Sequence, residues 1–205
     1  MSLSGLWGAS LRGRKVAILF DGPNFHHSFV RMGFRLDFEA FEQYCREKYG
    51  EIAVKRYYTS GGNIIPPEFV TFLTSIGYEV VVTPNVDTQI TVDAVDMIAR
   101  RAVDAIVIVS SDGGYFPLVE YAYENGARIA IAHDKEFQGF AMLLRGAVKR
   151  GLADYINIKD FQREVPLSIA VAPAETVSHA EQMGEEEAVA EGPLSDQEGE
   201  EVSES

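Results

Sequence analysis

Two aspartates stand directly after runs of apolar, largely β-branched residues. Asp21 follows KVAILF (15–20) within Asp21-Gly22-Pro23-Asn24-Phe25, and Asp112 follows AIVIVS (105–110) within Ser111-Asp112-Gly113-Gly114. Either residue alone suits a turn or a helix N-cap. Two of them at equivalent strand ends point to a shared role, because adjacent central strands would bring them together. Asp87, Asp93 and Asp96 form a third acidic source in a stretch with helical spacing over 88–102. Asp87 suits the N-cap. On a helix Asp93 lies about 240° round from Asp87, and Asp96 about 60° from Asp93. Val92 and Val95 flank Asp93, and a carboxylate beside buried positions needs a cation or hydrogen-bond donors. That marks Asp93 as functional and leaves Asp96 on a solvated face. Converging carboxylates repel one another, and a hard divalent cation such as Mg²⁺ or Mn²⁺ relieves the repulsion through oxygen ligands. Such an ion activates water and stabilises charge on phosphate, which is the chemistry of phosphodiester cleavage.

The elements that must position these groups alternate along the chain. Short β-rich runs occur at 15–20, 52–58, 78–83, 105–110, 128–133 and 154–158. Helical spacing separates them. Phe38, Phe41 and Cys45 share a face in 37–49, Phe69, Phe72 and Leu73 in 67–76, and Val92, Val95 and Ala99 in 88–102, with further helices over 115–125 and 138–150. This order predicts an α/β protein with a mainly parallel central sheet between helical layers. In such folds the ligand site lies beyond the carboxyl ends of the strands, near a switch in strand order.

Charge is unevenly distributed. The 205 residues carry a net charge of −13, but residues 165–205 contain eleven of the 31 acidic residues and no Lys or Arg. The remaining 20 acids face 18 bases, so the body is near −2 and the overall charge does not exclude an anionic ligand. The tail is rich in Glu, Ala, Ser and Gly, and no aromatic follows Phe161. It cannot bury enough apolar surface to order itself. The organisation predicted is a flexible N-terminus (1–13), in which Leu6 and Trp7 could dock on the body, a folded body (14–163) and an acidic disordered tail (164–205). The tail is a candidate contact for a protein partner or a second copy of the chain. No apolar run reaches the ~18 residues of a membrane span, and MSLSGLWGASLRGRK lacks the order of a signal peptide. The single cysteine, Cys45, excludes an internal disulfide and a cysteine-built zinc site and suits the cytoplasm.

FDGPNF, then VDTQITVDAVDM, then AIVIVSSDGGYFPLVEYAYENGARI resemble, over roughly residues 14–160, the NYN-domain family of PIN-like ribonucleases. The family pattern is a strand ending in Asp-Gly-x-Asn, a helix start with two spaced aspartates, and a strand ending in Ser-Gly-Asp-x-Asp-Phe. The resemblance implies a Rossmann-like, PIN-like three-layer fold and metal-dependent cleavage of RNA. Matched position by position, it implies Asp21, Asn24, Asp93 and Asp112 as catalytic residues and Asp21, Asp87, Asp93 and Asp112 as ligands of Mg²⁺ or Mn²⁺. Asn24 would orient water or phosphate; a turn-capping role is its alternative. The second aspartate of the last motif falls on Gly114, and the lysine often found before the helix motif falls on Pro84 or Asn85. The missing carboxylate leaves open a second reading: a catalytically weakened NYN module that binds RNA or a protein partner.

Other chemistries lack their signatures. There is no phosphate loop, no dinucleotide fingerprint, and no nucleophile elbow around Ser60, Ser110 or Ser111. His26, His27 and His133 are not spaced as a zinc pair. Single-stranded RNA needs cations and stacking aromatics. Arg31 and Arg35 follow the Asp21 segment, Tyr57 and Tyr58 adjoin Lys55-Arg56, Tyr115 and Phe116 follow Asp112, and Arg145, Lys149 and Arg150 end the last helical stretch.

Overall fold

The computed structural model describes residues 13–30, 33–61, 65–134, 136 and 140–163. The expectations for residues 1–12 and for the acidic tail lie outside these residues. All six apolar runs are strands: β1 (Lys15–Asp21), β2 (Glu51–Thr59), β3 (Glu79–Val82), β4 (Ala105–Val109), β5 (Arg128–His133) and β6 (Asp154–Asn157). They form one parallel sheet in the order β3-β2-β1-β4-β5-β6. β1 and β4 occupy the centre and are buried almost throughout, as their unbroken apolar sequences require.

The side chains of β1 alternate between two cores. Val16, Ile18 and Phe20 pack with α1 (Gly22–Ser28), α2 (Phe38–Tyr49) and α3 (Pro67–Ser75) on one face. Ala17 and Leu19 pack with α4 (Val86–Ala99), α5 (Phe116–Glu124) and α6 (Met142–Lys149) on the other. The chain changes face after β3, so the strand order reverses between β1 and β4, and their carboxyl ends mark the switch point at which such sheets generally bind ligands.

Three elements differ from the sequence reading. Residues 22–28, where no helix is predicted from spacing, form α1: the Asp21 carboxylate accepts the Asn24 N–H at 3.0 Å, and Pro23 stands in the first turn where its missing N–H costs nothing. Gly22 is required because a Cβ there would meet the Tyr58 carbonyl oxygen at 2.4 Å. Helix α4 is capped by Asn85, whose Oδ1 accepts the Thr88 N–H at 3.0 Å, and not by Asp87, which lies inside the first turn. Its buried stripe is Val86, Ile90, Ala94, Met97 and Ile98, so Val92 is 57% exposed where a core position was expected. A 3-10 turn (Gly113–Tyr115) precedes α5.

Candidate active site

The ends of β1 and β4 are laced together. Phe20 pairs with Val109 across the sheet, which sets Asp21 beside Ser110. Ser110 Oγ donates to Asp21 Oδ2 at 3.0 Å and accepts the Asp112 N–H at 3.1 Å. Asn24 Oδ1 accepts both the N–H and the hydroxyl of Ser111, at 3.1 and 3.2 Å. Asn24 thus ties the Asp21 segment to the Asp112 loop. The Asp112 carboxylate is exposed and accepts the Gly114 N–H at 2.8 Å. Both strand-end aspartates cap short helices, and they do so on the two central strands of one sheet.

Asp87 reaches this place from α4. Tyr115, fully buried, sets its hydroxyl 3.2 Å from Asp21 Oδ2 and 3.0 Å from Asp87 Oδ1. Asp21 is 3% exposed, and burial, reinforced by the charge of Asp87, pushes its carboxyl up to about 6 against the donors that favour ionisation. Among the described residues no Lys or Arg forms an ion pair with Asp21, Asp87 or Asp112.

Asp93 is placed elsewhere. Its Oδ2 accepts Arg56 Nη1 at 2.8 Å and the Tyr58 hydroxyl at 2.7 Å, and its Oδ1 accepts Gln89 Nε2 at 2.8 Å. The partner that a half-buried carboxylate needs is therefore an arginine on β2. The convergence expected of Asp21, Asp93 and Asp112 takes another form: Asp21 and Asp87 meet through Tyr115, and Asp112 stands on the adjoining loop. As the side chains stand, no group of three or more His, Cys, Asp or Glu among the described residues could hold a metal ion. Asp96 is exposed and pairs with Arg100.

The other candidates separate by burial. His133 is fully buried against Phe29 and Phe140, and burial lowers its pKa to about 4; it belongs to the core. His26 and His27 are exposed on α1. Tyr57 and Tyr58 are buried and cannot stack on bases from outside. Lys55 pairs with Glu42, and Arg56 with Glu79 and Asp93. Arg31 lies outside the described residues, and Arg35 is exposed. The residue whose part the sequence reading missed is Tyr115, treated there as a stacking aromatic; its place directly after the Asp112 turn was the available signal.

A parallel sheet ordered 3-2-1-4-5-6, with carboxylates gathered at its switch point, defines an α/β protein of PIN-like layout. The NYN domain model matches residues 15–150, and the chain belongs to that family. NYN domains are a PIN-like nuclease family; such nucleases generally use divalent metals, and NYN domains generally act on RNA. The uncharacterized protein MJ0482 of Methanocaldococcus jannaschii is 24% identical over 143 residues, covering 69% of this chain and 54% of its own length. The chain thus spans about half of that curated relative. Among solved structures, the nicotinamidase SaPncA of Staphylococcus aureus aligns over 69% of this chain and 98% of its own, at a TM-score of 0.40 and 13% identity. A homoserine dehydrogenase of S. aureus aligns over 69% and 32%, at a TM-score of 0.34 and 16% identity. Neither likeness is close enough to bear on function. No helix among the described residues is long and apolar enough to cross a membrane.

Proposed function

We propose that this chain is a metal-dependent ribonuclease that hydrolyses phosphodiester bonds of single-stranded RNA in the cytoplasm. The observation that carries the reading is the negative charge of Asp21, Asp87 and Asp112, which no Lys or Arg among the described residues pairs with, at the β1/β4 switch point of an NYN fold. The donors are hard oxygens, which suit Mg²⁺ or Mn²⁺, and a cation would favour the ionised form of Asp21 that burial, and next the charge of Asp87, disfavour. Mg²⁺ keeps several waters and is commonly held by one or two carboxylates together with substrate phosphate. A site lacking a three-carboxylate cage fits that mode, with one or two of Asp21, Asp87 and Asp112 holding the ion. When bound, the ion would activate water and neutralise charge on the phosphate.

The protein groups have separable parts. Asn24, its Oδ1 engaged by Ser111, offers its amide N–H groups to a phosphate oxygen or to water. Ser110 fixes Asp21 through the hydroxyl bond. Asp93 acts at one remove, holding Arg56 and Tyr58 against the Asp87 helix.

A second reading, an NYN module that binds RNA without cleaving it, is favoured by Gly114, which leaves one acidic place of the family pattern empty, and by the Tyr115 hydroxyl between Asp21 and Asp87. The two readings part on one assay. Labelled single-stranded RNA is incubated with the protein in Mn²⁺ and in EDTA. Cleavage in Mn²⁺ that EDTA abolishes supports the enzyme; binding with no cleavage in either supports the module.

A further inference from the structure

The exposed face of α6 matches an extended, partly apolar polyanion. No acidic residue lies between Glu136 and Asp154. Within α6, Met142 is 86% and Leu143 55% exposed, although both are large apolar side chains. Lys149 and Arg150 follow seven residues after each, so they fall within about 20° of the same two rows of the helix, roughly 10 Å further along. Lys149 and Arg150 make no ion pair among the described residues, and Arg150 Nε donates to the Gly146 carbonyl at 3.3 Å. Gly146 lies between the apolar and basic ends. A Cβ there would meet nothing within 4 Å, and its φ is not one that demands glycine. Packing and backbone geometry therefore leave this helix-weakening residue unexplained, while close approach of something from outside explains it.

The face is joined to the candidate active site. The Ala141 N–H donates to the Ser111 carbonyl at 3.0 Å, fastening the start of α6 to the Asp112 loop. The Arg150 guanidinium stands 5.5 Å from the ring centroid of Phe116, the residue next to Tyr115.

We infer that this face of α6 is the track along which single-stranded RNA leaves the site. Bases rest on Met142 and Leu143, the strand passes closely over Gly146, and phosphates pair with Lys149 and Arg150. The inference rests on the reading that the chain binds RNA.

The test is fluorescence anisotropy of a labelled oligouridylate in EDTA, so that binding is read without cleavage. Three variants of the full chain are compared with wild type: Lys149→Glu/Arg150→Glu, Gly146→Glu, and Arg100→Glu/Arg101→Glu, which makes the same charge change at the end of α4. Thermal melts establish that each is folded, and Gly146→Glu has open space for its side chain. The α6 variants should each bind at least about tenfold more weakly, and loss of two phosphate contacts should reduce the salt slope by about 1.4. The α4 variant should lose less than about threefold. Equal losses in both double variants, wild-type affinity of the α6 variants, or no binding by wild type would overturn the track. Cleavage in Mn²⁺ is followed in parallel. Cleavage by wild type with α6 variants that bind normally rejects the track and leaves the enzyme standing. Binding that depends on α6 without cleavage keeps the track and rejects the hydrolytic reading.

Discussion

Tyr115 has one hydroxyl proton and faces two carboxylates. It can donate to Asp21 or to Asp87, and the remaining oxygen–oxygen contact needs a further proton or a cation. Burial first, with Asp87 adding to it, holds the Asp21 proton on up to about pH 6, against 3.8 in an unfolded chain. The folded state therefore binds more protons than the unfolded state between these values. The stabilising effect is complete below the unfolded value and is lost as pH rises through 6, by on the order of 3 kcal/mol. Asp21→Asn removes this loss. Its amide can donate to Tyr115, which then donates to Asp87, at the cost of the acceptor that the Ser110 hydroxyl has in Asp21 Oδ2. Calorimetric melts should find Asp21→Asn more stable than wild type at pH 7.5, with the difference shrinking towards pH 4; equal melting temperatures at pH 7.5 would contradict the proton shortage. His133 gives the opposite slope, since its pKa of about 4 means that stability falls as acid charges the unfolded imidazole from 6.5 downward. The variant should therefore lose stability in acid more steeply than wild type. Gly114 offers the converse change. A Cβ there would sit 3.3 Å from Asp112 Oδ1, on an exposed side chain that can shift by the few tenths of an ångström required. Gly114→Asp should tighten Mn²⁺ binding roughly tenfold by adding a charged ligand, measurable from free Mn²⁺ by electron paramagnetic resonance; unchanged affinity would show that position 114 does not face the ion.

At the scale of elements, the division of labour between Asp87 and Asp93 follows from the phase of α4. Capping by Asn85 turns Asp87 to Tyr115 and Asp93 to Arg56 and Tyr58. The Arg56–Asp93 pair is mostly shielded, so Asp93→Asn leaves Arg56 with Glu79 as its one carboxylate among those described and should cost about 1 kcal/mol of stability while leaving Mn²⁺ affinity near wild type. Asp87→Asn should do the reverse, with little loss of stability and weakened Mn²⁺ binding. Titration and chemical denaturation of the two variants check the split; loss of Mn²⁺ binding in Asp93→Asn would return Asp93 to the metal site. All six strands and the placement of Asp21 and Asp112 were legible because continuous apolar runs ending in Asp-Gly have few other readings. The roles on α4 were not, because the stretch offers two apolar faces. Val92, Val95 and Ala99 share one at helical spacing, and Ile90, Ala94, Met97 and Ile98, which are the buried ones, share another. Helix α1 was hidden by Gly22 and Pro23, residues that mark turns as often as helix starts. The neutralising partner of Asp93 is distant in sequence, and no local pattern announces it.

For the whole molecule, the decisive quantity is charge arrangement. The body is near −2 and residues 165–205 contribute −11, so a tethered polyanion accompanies a body proposed to bind RNA. At the effective concentration of a tether, such a segment competes with phosphates for the same cations. Deleting residues 165–205 should tighten RNA binding a few-fold at low salt, with the gain fading as salt screens the charges; equal affinities at low salt would reject the competition. The central claim is that the carboxylates at the β1/β4 switch point perform chemistry on RNA. The most direct measurement is the cleavage rate of labelled single-stranded RNA as Mn²⁺ is titrated, for wild type and Asp112→Asn side by side, since that change removes charge and keeps size at an exposed position where the fold is not at risk. Wild type should cleave in a Mn²⁺-dependent way, and Asp112→Asn should lose at least about a hundredfold, partly restored at high Mn²⁺. Cleavage by Asp112→Asn at the wild-type rate, or cleavage by wild type that persists in EDTA, would contradict that claim.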